Sequence, residues 1–231
     1  GTQDGSSLAN ACNTLSDADC NANAASGSVV YVCDPAGVGY SRSSSWSVTN
    51  ANSNVTWNGD CSAFGNYSTR AKITNTAGSY NLQWGGSGSA IFKNIETAGG
   101  SSADCINIAG SGTVIIEDSF IHDCTAEGID IGATSATVTV RNNTIANVPT
   151  FGIFAGNEGT PGFVTIEDNL LIDNGTSGAG NNNDAIGIGD GVPGSLVQRN
   201  IIKNQKSGLG SAIDLQDSTS AATVVHRALG N

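Results

Sequence analysis

The sequence predicts an all-β solenoid in which short parallel strands stack rung upon rung. Two observations carry that reading. First, a short apolar strand followed by a polar, often Asn-bearing corner recurs between Ile91 and His226. The copies run Phe92-Lys93-Asn94-Ile95, Ile116-Glu117-Asp118-Ser119-Phe120-Ile121 and Val140-Arg141-Asn142-Asn143-Thr144-Ile145. They continue as Ile166-Glu167-Asp168-Asn169-Leu170-Leu171, Val197-Gln198-Arg199-Asn200-Ile201-Ile202 and Val225-His226-Arg227-Ala228-Leu229. Their first positions are separated by 24, 24, 26, 31 and 28 residues, a repeat length typical of stacked solenoids. Second, another strand column keeps the same register: Cys105-Ile106-Asn107-Ile108, Gly128-Ile129-Asp130-Ile131, Gly152-Ile153-Phe154-Ala155, Ala185-Ile186-Gly187-Ile188 and Ala212-Ile213-Asp214-Leu215. Each alternates an inward Ile with an outward Asn, Asp or Phe, as a half-buried strand requires.

With both columns in register, the chain resembles the right-handed parallel β-helix family, the pectate-lyase-like fold, from roughly Val29 to Val225. The resemblance implies the hand of the coil; the spacing alone does not. One domain over 1–231 is expected, with an N-terminal cap at 1–27, irregular rungs at 28–90 and regular rungs at 91–231.

In chain order, Leu8, Ala11, Cys12, Leu15 and Ala18 recur at helical spacing behind Ser6 and Ser7 as N-cap candidates. With the Gln3-Asp4-Gly5-Ser6 start, this resembles the short helical cap of many secreted β-helices, which covers core and strand edges. Between Ser41 and Ala90, strands are expected at Trp46–Thr49, Val55–Trp57, Ala71–Thr74 and Tyr80–Trp84. They carry all three Trp residues. Trp46, Trp57 and Trp84 are either sugar-stacking platforms on the flank or core packing. In the regular rungs, Ser119, Asn143, Asn169 and Asn200 form one corner column, expected to take left-handed backbone angles and to bond amide to amide along the axis. The longest insertion, between Asp173 and Asp184, includes Asn181 and Asn182; with the loop 156–162 it would wall a groove or cover a subunit contact. The last copy ends at Asn231 without a cap pattern, which predicts that more chain or another molecule covers that end.

Nine Lys and Arg against twenty Asp and Glu give a net charge of −11, which argues against a nucleic-acid partner. No apolar run is long enough to span a membrane. The six cysteines lack metal-ligand spacing and read as disulfides of an oxidising, secreted or cell-surface location. Proximity pairs them as Cys12–Cys20, Cys33–Cys61 and Cys105–Cys124. Asn54, Asn66, Asn142 and Asn174 head Asn-x-Ser/Thr sites.

Chemistry would sit on the acidic second column. Asp104, Glu127 and Asp130 with Arg141 are the candidate catalytic set of a polysaccharide lyase or glycoside hydrolase, if the chain is an enzyme. No cofactor is expected, calcium being the one ion that such carboxylates would suit. Against catalysis, Ala126-Glu127-Gly128-Ile129-Asp130 and Ala103-Asp104-Cys105 echo only fragments of the polygalacturonase-like motifs, and the Gly-His-Gly and Arg-Ile-Lys motifs are absent. Asp34-Pro35 is followed by Ala36, so the epimerase Asp-Pro-His signature is missing. His122 precedes Asp123, but neighbours on an extended strand face opposite ways. Three functions remain open. The first expectation is a non-catalytic extracellular structural protein, self-assembling end to end into fibres or part of an adhesin. The others are a polysaccharide-cleaving enzyme and a carbohydrate-binding module using Trp46, Trp57 or Trp84 beside Asn181, Asn182 and Asp184.

Overall fold

Three parallel sheets wrap one apolar column. The computed structural model describes residues 24–34, 38–65, 67–77, 80–99, 104–132, 135–156, 161–177, 183–189, 191–206, 210–216 and 225–231. The first sheet has eight strands: Val29–Tyr31, Val55–Asn58, Ser89–Lys93, Thr113–Glu117, Thr137–Arg141, Val164–Glu167, Gly194–Gln198 and Val225–Leu229. The second stacks Tyr40–Arg42, Ala71–Asn75, Ile95–Ala98, Phe120–His122, Thr144–Ala146, Leu170–Ile172 and Ile201–Lys203. The third stacks Trp46–Val48, Tyr80–Trp84, Asp104–Ile108, Ile129–Ile131, Ile153–Ala155, Ile186–Ile188 and Ile213–Leu215. The chain visits the sheets in that order once per rung, so every strand pairs with its counterpart one turn away. The expected helical cap and Cys12–Cys20 fall on residues outside those described. Among the described residues, no helix is long and apolar enough to cross a membrane.

The register agrees with the repeats through Val197, which pairs with Ile166. It differs at the last one. Val197 pairs with Ala228 rather than Val225, a shift of three residues. The reason lies in the corner. Gly230 takes the left-handed angle that Arg199 takes one rung earlier, and Asn231 then falls over Asn200. Matching Val225 to Val197 would have put Ala228, which has no amide, at that place.

Alternation sorts the side chains. Val114, Ile116, Val138, Val140, Val164, Ile166 and Val197 are buried from the first sheet, and Ile106, Ile129, Ile153 and Ile186 from the third. Near the N-terminal end the column is aromatic. Trp46 meets Trp57 at 5.6 Å and Phe92 at 6.1 Å, edge to face, and Trp84 meets Phe92 at 6.1 Å. All three Trp side chains are at most 1% exposed, so they are core and offer no face to a sugar. The short strands around them gave too few alternations to fix which way they point. Trp84 Nε1 donates to the Ser111 carbonyl at 3.1 Å, while buried Trp57 Nε1 has no partner among the described residues. Replacing Trp57 with Phe is therefore expected to cost about 1 kcal/mol less than replacing Trp84 with Phe. Urea denaturation of the two variants checks this, and equal losses would contradict it.

The corner column is built differently from the expectation. Left-handed angles belong to Asn94, Asp118, Asn142, Asp168 and Arg199, at φ between 53° and 57°, each one residue before the column. That turn swings the next side chain inward. Ser119, Asn143, Asn169 and Asn200 are consequently buried. Asn143 Oδ1 accepts from Ser119 N, Asn169 Oδ1 from Asn143 N and Asn200 Oδ1 from Asn169 N, at 3.0–3.1 Å. Asn231 Oδ1 accepts from Asn200 N at 3.0 Å and extends the column to the last residue. A second left-handed set, Asp123, Asn147, Asp173 and Asn204, turns the chain after the second sheet. There, Asn174 is buried with its amide bonded to Val148 N and the Ile145 carbonyl, which removes it from the accessible Asn-x-Ser/Thr sites. Asn54 and Asn142 remain exposed.

Two of the expected disulfides are present, Cys33–Cys61 and Cys105–Cys124, with Cα–Cα distances of 5.4 and 5.5 Å. The second ties the start of a third-sheet strand to the corner after the second-sheet strand of the following rung. Each is an axial clamp between turns.

Candidate functional site

The outer face of the third sheet gathers most of the residues that could bind or react. Two columns run along it. In one, Ser47 Oγ donates to Gln83 Oε1 at 3.0 Å and Gln83 Nε2 to Asn107 Oδ1 at 3.3 Å. Asn107 Nδ2 then donates to Asp130 Oδ2 at 2.9 Å. The pairing continues to Phe154, Gly187 and Asp214. The other column begins with Tyr80 and Asp104. Asp104 is 8% exposed, and its Oδ1 accepts from Glu127 N at 3.1 Å.

Burial pushes the Asp104 carboxyl up to about 9, helped by its hydrogen bond to the Glu127 side chain and by the charges of Glu127 and Asp130. The hydrogen-bonded Asp104–Glu127 pair therefore keeps a proton well above the usual carboxylate range. Because this value lies above the ordinary 3.8, the favourable contribution is complete below about pH 4 and is lost as pH rises towards 9. An amide has no proton to lose. Asp104→Asn keeps an acceptor for Glu127 N and a donor for its carboxylate. It is expected to gain about 2 kcal/mol at pH 7, after discounting for water around Glu127, and to flatten the pH slope. Thermal unfolding at pH 5 and pH 8 checks this; equal slopes for both proteins would contradict it.

One rung beyond the acid pair, Phe151 and Phe154 stack with ring centroids 4.5 Å apart and planes 29° from parallel. An added Cβ at Gly187 would lie 2.6 Å from Phe151 Cε1, so glycine there leaves the space the rings fill. The sequence reading missed this pair because Phe151 precedes its strand. Further along, Asp184 is buried, and its carboxylate accepts from Ser211 N. Burial, then the charge of Asp214, raises its pKa. Asp184 is thus held within the fold rather than presented to a ligand. Asn181 and Asn182 lie outside the described residues.

Arg141 does not join this face. It lies on the first sheet, where its Nε and Nη2 donate to Glu117 Oε2 at 2.8 and 2.5 Å. The expected set of Asp104, Glu127, Asp130 and Arg141 is therefore divided between two sheets. Only the three carboxylates come together. Arg199 behaves like Arg141, bonding Asp168 and Glu167 at 2.7–2.9 Å.

A further cluster lies on the second sheet. His122 Nδ1 is 2.6 Å from Asp123 Oδ2, and Nε2 is 3.3 Å from Glu96 Oε1, which also meets Lys72 Nζ at 3.2 Å. The sequence placed His122 and Asp123 on opposite faces. At φ 51° Asp123 leaves the extended conformation and turns its carboxylate back to the ring. Among the described residues, no three His, Cys, Asp or Glu side chains form a group that could hold a metal ion.

A two-carboxylate hydrolase places its groups on either side of the scissile bond, about 5–9 Å apart. Asp104 and Glu127 are hydrogen-bonded to each other and act as one proton-holding pair. What the face does offer is the half-buried ring of Phe154, backed by buried Phe151, beside hydrogen-bonding carboxylates. Residues 25–228 match a family described as a right handed beta helix region. Neither the curated proteins nor the solved structures yield a match.

Proposed function

Since this chain belongs to the right-handed β-helix family, we propose that it is a non-catalytic structural protein of the cell surface or extracellular space, a stiff spacer within a larger assembly. One observation carries the reading: outward charged side chains bond to other outward side chains one rung away instead of converging on a substrate. Arg141–Glu117, Arg199–Glu167 and Lys72–Glu96 all follow the axis. The two disulfides fit an oxidising location. Incubation with a panel of neutral and acidic polysaccharides, followed for reducing ends and unsaturated uronates, tests the proposal. No release is expected. Release that disappears in Asp104→Asn would overturn it.

A second reading is favoured by Phe154, half-buried beside half-buried Asp130 and Glu127: a polysaccharide-binding face, with that one ring as the stacking surface in place of the buried Trp residues. It predicts that Phe154→Ala abolishes glycan retention in affinity electrophoresis. Equal retention by both proteins would exclude it.

A further inference from the structure

The outer face of the second sheet carries an apolar stripe. In one column Glu96, Phe120, Thr144, Leu170 and Ile201 succeed one another; in the next, Ala98, His122, Ala146, Ile172 and Lys203 do. Ile201 is 56% exposed and is among the most exposed large apolar side chains described. Phe120, Ala146, Leu170 and Ile172 are half-buried, and Leu170 and Ile172 lie one rung from Ile201. Phe120 stacks on the His122 ring at 4.0 Å between centroids, and Ile201 stays the most open apolar side chain of the stripe.

The two ends of the stripe differ in charge. At one end stand Glu96 and Asp123, with Lys72 and His122 as their partners. At the other stand Lys203, without an ion pair among the described residues, and Lys206, paired with Asp173 at 3.2 Å. A two-fold axis along the strand direction reverses the rod axis and superposes opposite ends. The Ile201–Lys203 rung of one copy then meets the Glu96–Ala98 rung of the other. Leu170 meets Phe120, and Thr144 and Ala146 meet themselves. Such an arrangement is isologous, and it also sets Ile172 over the His122 ring and Ile201 over the aliphatic part of Glu96. It also brings the free ammonium of Lys203 to Glu96 across the small side chain of Ala98. With a net charge of −11, two copies repel unless their contact is complementary in this way.

We propose that this face binds a second copy of the chain, the two rods lying antiparallel. The proposal rests on the structural reading above and names the partner it needs. Five rungs at about 4.8 Å and two columns about 7 Å apart give a face roughly 19 Å by 10 Å, well below the ~800 Å² per partner of a standard interface. The pair is therefore reversible.

Sedimentation velocity over a concentration series of the full chain is the test. Wild type is expected to pass from monomer to dimer, and Leu170→Glu to remain monomeric with an unchanged thermal midpoint. Lys203→Glu and Glu96→Lys should each weaken association by about tenfold, and the two together should restore most of it. A wild type that stays monomeric up to millimolar concentration overturns the proposal. So does a dimer indifferent to Leu170→Glu, which would place the contact elsewhere, or a double variant no better than either single one. Polysaccharide cleavage by the protein would overturn the structural reading separately, whatever its state of association.

Discussion

Asn169→Ala is expected to lower stability by about 4 kcal/mol, the largest loss from any single corner residue. The side chain serves three rungs. Its Oδ1 accepts from Asn143 N at 3.0 Å and Asn143 Nδ2 at 3.1 Å, while its Nδ2 donates to the Val140 carbonyl at 2.9 Å and to Asn200 Oδ1 at 3.0 Å. Alanine takes the side-chain partner from Asn143 N and the Val140 carbonyl, while Asn143 Nδ2 keeps the Ile116 carbonyl and Asn200 Oδ1 keeps Asn169 N; each stranded buried group costs about 1–3 kcal/mol. Asn142→Ala is the control, because Asn142 is exposed and its contribution is its tolerance of φ 56°. It is expected to cost about 1 kcal/mol. Urea denaturation separates the two, and similar midpoints for both variants would show that the column does not hold the rungs.

Removing the Cys105–Cys124 clamp, by replacing both residues with Ala, is expected to cost about 3 kcal/mol from loop closure across a sequence separation of 19 residues. The clamp closes less than one full turn, so its loss frees the chain between the second and third sheets where Asp104 and Glu127 meet. Both sulfurs belong to buried residues, 1% and 6% exposed. Reductant alone should therefore act slowly until denaturant opens the rod. Unfolding curves of the double variant that overlay the wild type would contradict this account.

The repeat architecture was legible because a parallel rung forces equivalent residues into equivalent environments. Ile116, Val140 and Ile166 reappear in the same place for the same reason, and so do Ile106, Ile129 and Ile153. Features that interrupt the repeat were not legible. The final rung slipped by three residues because apolar Val225 resembles Val197, while the residues that fix the register, Gly230 and Asn231, come after the strand. His122 and Asp123 came together through a left-handed turn that strand alternation does not encode. Trp46, Trp57 and Trp84 fitted either face in sequence, and only their edge-to-face packing with each other and Phe92 assigns them to the core. For the candidate site, Asp104, Glu127 and Asp130 were found because they recur at or just before the third-sheet strands. Arg141 was expected in the same groove, but between Asp130 and Arg141 the chain leaves the third sheet for the first.

Native-state hydrogen exchange tests most directly whether the rod is held by its corner column. The amides of Ser119, Asn143, Asn169 and Asn200 each bond a side-chain oxygen one rung away. They should exchange only through global unfolding, at the slowest rate in the protein, and Asn143 should lose that protection in Asn169→Ala. Fast exchange of these four amides in the wild type, with protection confined to the sheet strands, would contradict a rod held at its corners.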